Sequence, residues 1–253
     1  MVGPMNPPMP LPLLSATAVL AALAGLVIGL GTRRLVARLS GAEGDPAGGR
    51  QDTWPVAGAV EGVTAAVLAA LALRALWPDA AAGAATWPGV PEGAGITPVG
   101  RVAELLAFGW LAVVAVALSF VDAAVHRLPD RLTLAAYLGT AAPLTVSALA
   151  DGRLDDLLGA GLGGLALAGF YLVLFLVNPA GMGFGDVKFA ASLGAALGWL
   201  GWDTLVTGAF LGLLAGGLYG GALLASRRAG RKSEIPFGPF MAVGALAAVL
   251  TAL

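Results

Sequence analysis

Long apolar runs, separated by short polar interruptions, set the pattern of this chain. They occupy residues 12–31, 57–76, 102–121, 132–150, 157–177, 187–202, 204–225 and 237–253. A helix needs about 20 mostly apolar residues to cross roughly 30 Å of hydrocarbon. The pattern therefore predicts an all-α polytopic membrane protein of about eight transmembrane helices, the sixth of them short. Two connections stand out as long, and their stretches 41–56 and 78–100 are rich in Gly and Pro and weakly charged, which predicts irregular loops. No internal repeat is visible, and similar Ala/Leu/Gly runs reflect membrane composition.

The few charges give this array an orientation. Lys and Arg near helix ends stay on the cytoplasmic side. Arg33, Arg34, Arg38 and Arg50 lie in 32–56, Arg127 and Arg131 in 122–131, Lys188 in 178–188, and Arg227, Arg228, Arg231 and Lys232 in 226–235. These are alternate loops, which places both termini on the outer side. The opposite loops hold Arg101 and Arg153 beside Asp79, Glu92, Asp151, Asp155, Asp156 and Asp203. Residues 1–11 carry no charge, so the first run reads as an anchor rather than a cleaved signal peptide, which would need a positive region before it.

Composition supports the same class. The chain of 253 residues is 58% hydrophobic and 11% charged, against about 25% charged in soluble domains. With 14 basic and 15 acidic residues there is no charge excess to recruit nucleic acid. The sequence contains no cysteine, which excludes thiol catalysis and Cys-based zinc sites, and one histidine, His126. Without HExxH or a GxSxG elbow, zinc-protease and serine-hydrolase readings lack their residues. His126 reads as an exposed loop residue.

Two glycine patterns fit packing better than chemistry. Gly159-Ala-Gly161-Leu-Gly163-Gly164 matches GxGxxG, but it lies in an apolar run with no strand before it. Gly25 and Gly29 form a GxxxG in the first run, and both patterns predict close helix approach. Glu61, Arg74 and Glu104 fall near predicted helix ends, where an interfacial position costs little and Arg74 can snorkel. Asp203 is expected to cap or precede the seventh helix.

Asp122 and Asp186 are different. Asp122 ends the third helix, and Pro129 disfavours helical geometry at Leu128, so the chain should turn and re-enter at about Leu132. Asp186 lies in Gly181-Met-Gly183-Phe-Gly185-Asp186-Val-Lys188, whose three glycines predict irregular backbone. The topology puts both acids at one membrane face. Two carboxylates sharing a site can hold one proton between them, one activating water while the other polarises a peptide carbonyl. From spacing alone, solvated carboxylates capping helices explain them somewhat better.

These residues resemble the type IV prepilin peptidases, membrane aspartic proteases of the GxGD class. The resemblance rests on Asp122 seven residues before Pro129-Asp130-Arg-Leu-Thr133, on Gly183-Phe-Gly185-Asp186-Val-Lys188, and on Ile235-Pro236-Phe237-Gly238-Pro239-Phe240, and it covers roughly 103–253. It implies that Asp122 and Asp186 are the catalytic pair, with Gly183, Gly185, Lys188, Pro129, Asp130, Pro236 and Gly238 forming the site's loops. It further implies removal of a short basic leader from prepilin or pseudopilin substrates at the cytoplasmic face of a bacterial membrane, without metal or organic cofactor. Many family members carry a cytoplasmic insertion with paired CxxC motifs and also N-methylate their product. The insertion is absent here, so a peptidase alone is expected. Residues 1–101 read as N-terminal membrane helices with a short cytoplasmic loop and 102–253 as the peptidase core, in one integral membrane unit. A proton-coupled small-solute transporter would also use intramembrane acids and broken helices, but it does not predict the GxGD and IPFGPF pair. A presenilin-type protease would need a Pro-Ala-Leu motif near the C-terminus, which the sequence lacks. The sequence leaves the oligomeric state open.

Overall fold

A computed structural model describes residues 11–41, 58–76, 96–126, 128–179, 182–226 and 236–252. Most of the loops expected at 41–56 and 78–100 (residues 42–56 and 78–95), the N-terminal stretch 1–10, and Arg50, Arg127, Arg227, Arg228, Arg231, Lys232 and Ile235 lie outside the described residues, as does the side chain of Arg74, while Gly41 ends α1 and residues 98–100 already belong to α3. Eight helices are described: α1 Leu11–Gly41, α2 Ala59–Leu76, α3 Pro98–Val125, α4 Asp130–Asp151, α5 Leu154–Val177, α6 Phe184–Leu200, α7 Trp202–Ala225 and α8 Gly238–Thr251. Five of them (α1, α3, α4, α5 and α7) are long and apolar enough to cross a membrane on their own. The protein is therefore a multi-pass all-α membrane protein. Large apolar side chains such as Leu165, Val177 and Leu218 point outward and are largely exposed, as hydrocarbon-facing groups must be.

Sequential helices pair as hairpins: α1 with α2, α3 with α4, α5 with α6 and α7 with α8. Helix α6 is the hub, touching α3, α4, α5, α7 and α8. Its 17 residues are buried on every side from Phe189 to Leu200 except for Ala191, which is half-buried. A helix apolar all round belongs inside a bundle, which explains how the shortest of the first seven apolar runs serves as the core. The helices α1 and α2 join the rest mainly through α3, where Val36 packs on Ala117 and Val121.

Small residues set the close approaches. A Cβ on Gly163 would meet the Gly198 Cα at 2.8 Å, and one on Gly198 would meet the Gly159 carbonyl oxygen at 2.5 Å. The GxGxxG stretch is thus the α5 face on which α6 lies. Likewise a Cβ on Gly25 or Gly29 would run into the backbone of Ala65 or Glu61. Both glycine patterns serve packing, as expected, and hydrocarbon offers no hydrophobic drive to replace it.

Four expectations need correction or sharpening. First, Glu61 and Glu104 do not lie free near helix ends: each is buried and ion-paired, Glu61 with Arg33 Nε at 3.2 Å and Glu104 with Arg153 Nη1. The second pair forms because Gly152, at φ 69°, turns the chain between α4 and α5 and brings Arg153 back over Trp199, 4.6 Å from its ring centroid. Second, α4 begins at Asp130, two residues before the expected Leu132, with Pro129 as its N-cap. Third, Gly183 and Gly185 do not keep the backbone irregular at Asp186, while Gly181 lies outside the described residues. Gly183 caps α6, and Gly185 and Asp186 belong to its first turn. Helical N–H groups there lack intrahelical acceptors in any case, so glycine weakens the helix least at that end. Fourth, Asp203 neither caps nor precedes α7 but lies within its first turn, behind the N-cap Gly201.

Candidate active site

The site is assembled from three helix ends. Helix α3 delivers Asp122 in its last turn and stops at Val125, with His126 as C-cap in the left-handed region at φ 54°. A short turn through Leu128 and Pro129 then starts α4. The N-termini of α6 and α8 arrive at the same place, carrying Asp186 and Gly238.

Asp122 is buried, and the Gly238 N–H donates to its Oδ2 at 2.9 Å, across 116 residues of sequence. This contact favours glycine, because a Cβ at 238 would lie a tight 3.0 Å from the same oxygen and would push the carboxylate aside. Asp186 is buried to the same degree. As the third residue of α6, it turns its side chain back so that Oδ2 accepts from the Gly183 N–H at 3.1 Å. A carboxylate in this position satisfies an orphan donor and meets the positive end of the helix dipole. Its other oxygen, Oδ1, is buried with no hydrogen-bond partner among the described residues. Asp186 is within electrostatic reach of Asp122.

The surrounding residues lock these ends together. Gly185 lies so close to the turn after α3 that a Cβ there would meet the Leu128 Cβ at 2.6 Å. Lys188 Nζ donates to Asp130 Oδ1 at 2.6 Å, on the water-accessible rim. Pro236 directly precedes Phe237, the N-cap of α8. Thus the structure brings together Asp122, Pro129, Asp130, Gly183, Gly185, Asp186, Lys188, Pro236 and Gly238. Two residues were missed by sequence reasoning. Tyr171 of α5 is buried, packs on Phe237 with ring centroids 5.8 Å apart, and lies within electrostatic reach of Asp186. Phe237 itself is the other. The signal for Tyr171 was a lone hydroxyl-bearing ring in an apolar run, which composition alone does not separate from packing.

The chemistry open to this arrangement is that of a carboxylate pair. Each acid has one oxygen fixed by a backbone N–H from a glycine. The two charges interact in a buried setting, where repulsion between like charges is strong and a shared proton relieves it. Such a pair can both take a proton from water and donate one to a carbonyl oxygen.

Part of the chain is similar to known leader peptidases. Residues 109–221 match the model of the type IV leader peptidase family. A prepilin leader peptidase/N-methyltransferase of Aeromonas salmonicida is 36% identical over 165 residues, covering 59% of this chain and 53% of the relative. The protein of the same description from Pseudomonas aeruginosa is 38% identical over 149 residues, covering 58% and 48%. The corresponding protein of Burkholderia pseudomallei is 34% identical over 169 residues, covering 62% and 47%. The chain spans about half the length of the curated relatives it matches. No solved structure matches it.

Proposed function

We propose that this chain, whose residues 109–221 carry the leader peptidase match, is a membrane aspartic endopeptidase that removes the short basic leader from type IV prepilin-like precursors, pilins or pseudopilins. The observation that carries the reading is that Asp122 and Asp186, 64 residues apart in sequence, are both buried within electrostatic reach of each other with a fixed oxygen on each. The ionised member of the pair takes a proton from water, and the resulting nucleophile attacks the scissile carbonyl carbon. The protonated member donates to the carbonyl oxygen as the tetrahedral intermediate forms. A proton then passes to the leaving amine, the C–N bond breaks, and leader acid and mature amine depart. The apparent proton affinities belong to the pair rather than to either residue. The reaction needs no metal and no organic cofactor.

The distribution of basic residues along the sequence supports a site at the cytoplasmic face, where a leader retained by its own charge would be presented. Peptidase activity is the step that the geometry supports. With no cysteine for the CxxC insertion that the resemblance associates with methyl transfer, the mature product is expected to leave with an unmodified N-terminus, readable by mass spectrometry.

The decisive experiment co-expresses a prepilin from the same genome with the wild-type chain, Asp122→Asn and Asp186→Asn. Each substitution keeps the hydrogen bond from its glycine and removes the acid–base function, so processing should fall by about 10²–10⁴-fold. Full processing by either variant would remove that residue from the mechanism.

A further inference from the structure

A cavity lies beside the aspartate site, and its lining reaches the residues adjoining Asp122 and Gly238. It is a cleft of about 340 Å³ with α3 and α6 as its floor and α2 and α8 as its two banks. Ser119 is the one polar side chain in its lining. Along α3 the lining extends from Phe108 to Ala123, a rise of about 22 Å at ~1.5 Å per residue. The upper end is Ala123, next to Asp122, and Pro239, next to the glycine that donates to Asp122. Helices α2 and α8 barely meet. Val63 and Val243, which line the banks, are 42% and 59% exposed, so the cleft opens sideways into the hydrocarbon rather than into water.

Such a cleft admits an apolar occupant that arrives from within the bilayer. Its volume is about twice that of a cavity that holds one benzene (~150 Å³). That is room for one row of large side chains, as a helix presents at i, i+3/i+4 and i+7, and too little for a whole helix. Two occupants have this chemistry, a lipid chain and a polypeptide segment. Charge separates them. A phospholipid lying in the cleft would set its phosphate at the upper end, against the carboxylates of Asp122 and Asp186. A polypeptide whose scissile bond is at Asp122 sets its next residues there of necessity, with no charge to repel.

We infer that this cleft seats the apolar, membrane-embedded segment of the substrate that adjoins the scissile bond, and that the fit of its side-chain row sets which bond reaches Asp122. The inference rests on the peptidase reading above. It makes α2 and α8 the selectivity elements of the enzyme: they hold the segment parallel to α8, with depth counted from the cleaved bond. Val243 and Leu246 lie five and eight residues beyond Gly238, about 8 and 12 Å deeper along α8.

The chain has no cysteine of its own, so disulfide mapping needs no background removal. Single cysteines at Val243 or Leu246, in an Asp186→Asn background, are paired with a prepilin carrying one cysteine at each position from the first to the fifteenth after its cleavage site. Cross-links should peak near the fifth position for Val243 and near the eighth for Leu246, repeating every three to four residues. A cysteine at Leu165, exposed on α5, should give none above background. Equal cross-linking from Leu165, or peaks that do not move between Val243 and Leu246, would overturn the inference. Benzoylphenylalanine at Val243 adds a second test: adducts with the prepilin support it, and adducts with phospholipid alone overturn it. In the wild-type background, Ala242→Phe should fill the cleft and raise KM for the prepilin about tenfold with kcat unchanged. An effect confined to kcat would count against it. Failure of the wild-type chain to process the prepilin would refute the peptidase reading on which this inference rests, whereas wild-type processing without cross-links from the cleft would refute this inference alone.

Discussion

At the end of the bundle opposite the aspartates, Glu104 of α3 accepts from three donors at once. Arg153 Nη1 pairs with its Oε1, which also accepts from Trp199 Nε1 at 3.2 Å and Ser147 Oγ at 3.4 Å. Arg153 in turn donates from Nε to Asp156 Oδ2 at 2.6 Å. The side chains of Arg153 and Glu104 are only 3% and 6% exposed, so neither charge can fall back on water. Replacing Arg153 with Met leaves an anion whose remaining partners are one hydroxyl and one indole. Breaking one side of a buried pair in this way costs about 3–5 kcal/mol. Glu104→Gln should cost less, about 1–2 kcal/mol, because Arg153 keeps Asp156 and the amide oxygen still accepts.

The double substitution makes the reasoning falsifiable. With Glu104→Leu added to Arg153→Met, no unpaired charge remains except Asp156, which is partly exposed. The double variant should therefore be more stable than Arg153→Met alone, a coupling of about 1–3 kcal/mol. Equilibrium unfolding of the purified chain in mixed micelles, followed by tryptophan fluorescence, measures Arg153→Met, Glu104→Leu, their double variant and Glu104→Gln. Costs that simply add, or an Arg153→Met variant within about 1 kcal/mol of wild type, would show that Glu104 is not held as described.

Further predictions concern the site itself. Gly238→Ala places a methyl 3.0 Å from Asp122 Oδ2; the shift it forces should lower processing about 10-fold or more with little change in unfolding, measured as kcat on the prepilin. Gly185→Ala meets the Leu128 Cβ at 2.6 Å and should cost about 1–3 kcal/mol, seen as a lowered unfolding midpoint as well as slower processing. Lys188→Met breaks a pair whose side chains are 38% and 77% exposed, so stability should change by less than about 1 kcal/mol; a larger loss would show that the rim pair is structural. His126→Gly removes the strain of a Cβ at φ 54° and should raise stability by up to about 1 kcal/mol while processing continues, whereas loss of activity would make the histidine part of the chemistry.

How much of this was legible in the sequence depends on the kind of signal. Eight helices and their order came from apolar run length, and Asp122 and Asp186 stood out because acids at membrane depth are costly unless they serve a purpose. That Gly238 would complete the Asp122 site was visible only as a motif, since a backbone N–H delivered from 116 residues away leaves no mark on local pattern. The misplacement of Glu104 has a different origin. Its position seven residues into α3 looked interfacial because the sequence places a charge along one helix but not against its neighbours. Burial there depends on Gly152 turning Arg153 inward and on Trp199 closing the end of α6 over it. The same limit explains the cleft beside Asp122: each of its apolar residues is ordinary in a membrane helix, and only the gap between α2 and α8 makes them a surface with a shape. In a chain this apolar, hydrophobicity says which segments enter the bilayer, while selectivity has to be carried by where helices fail to touch.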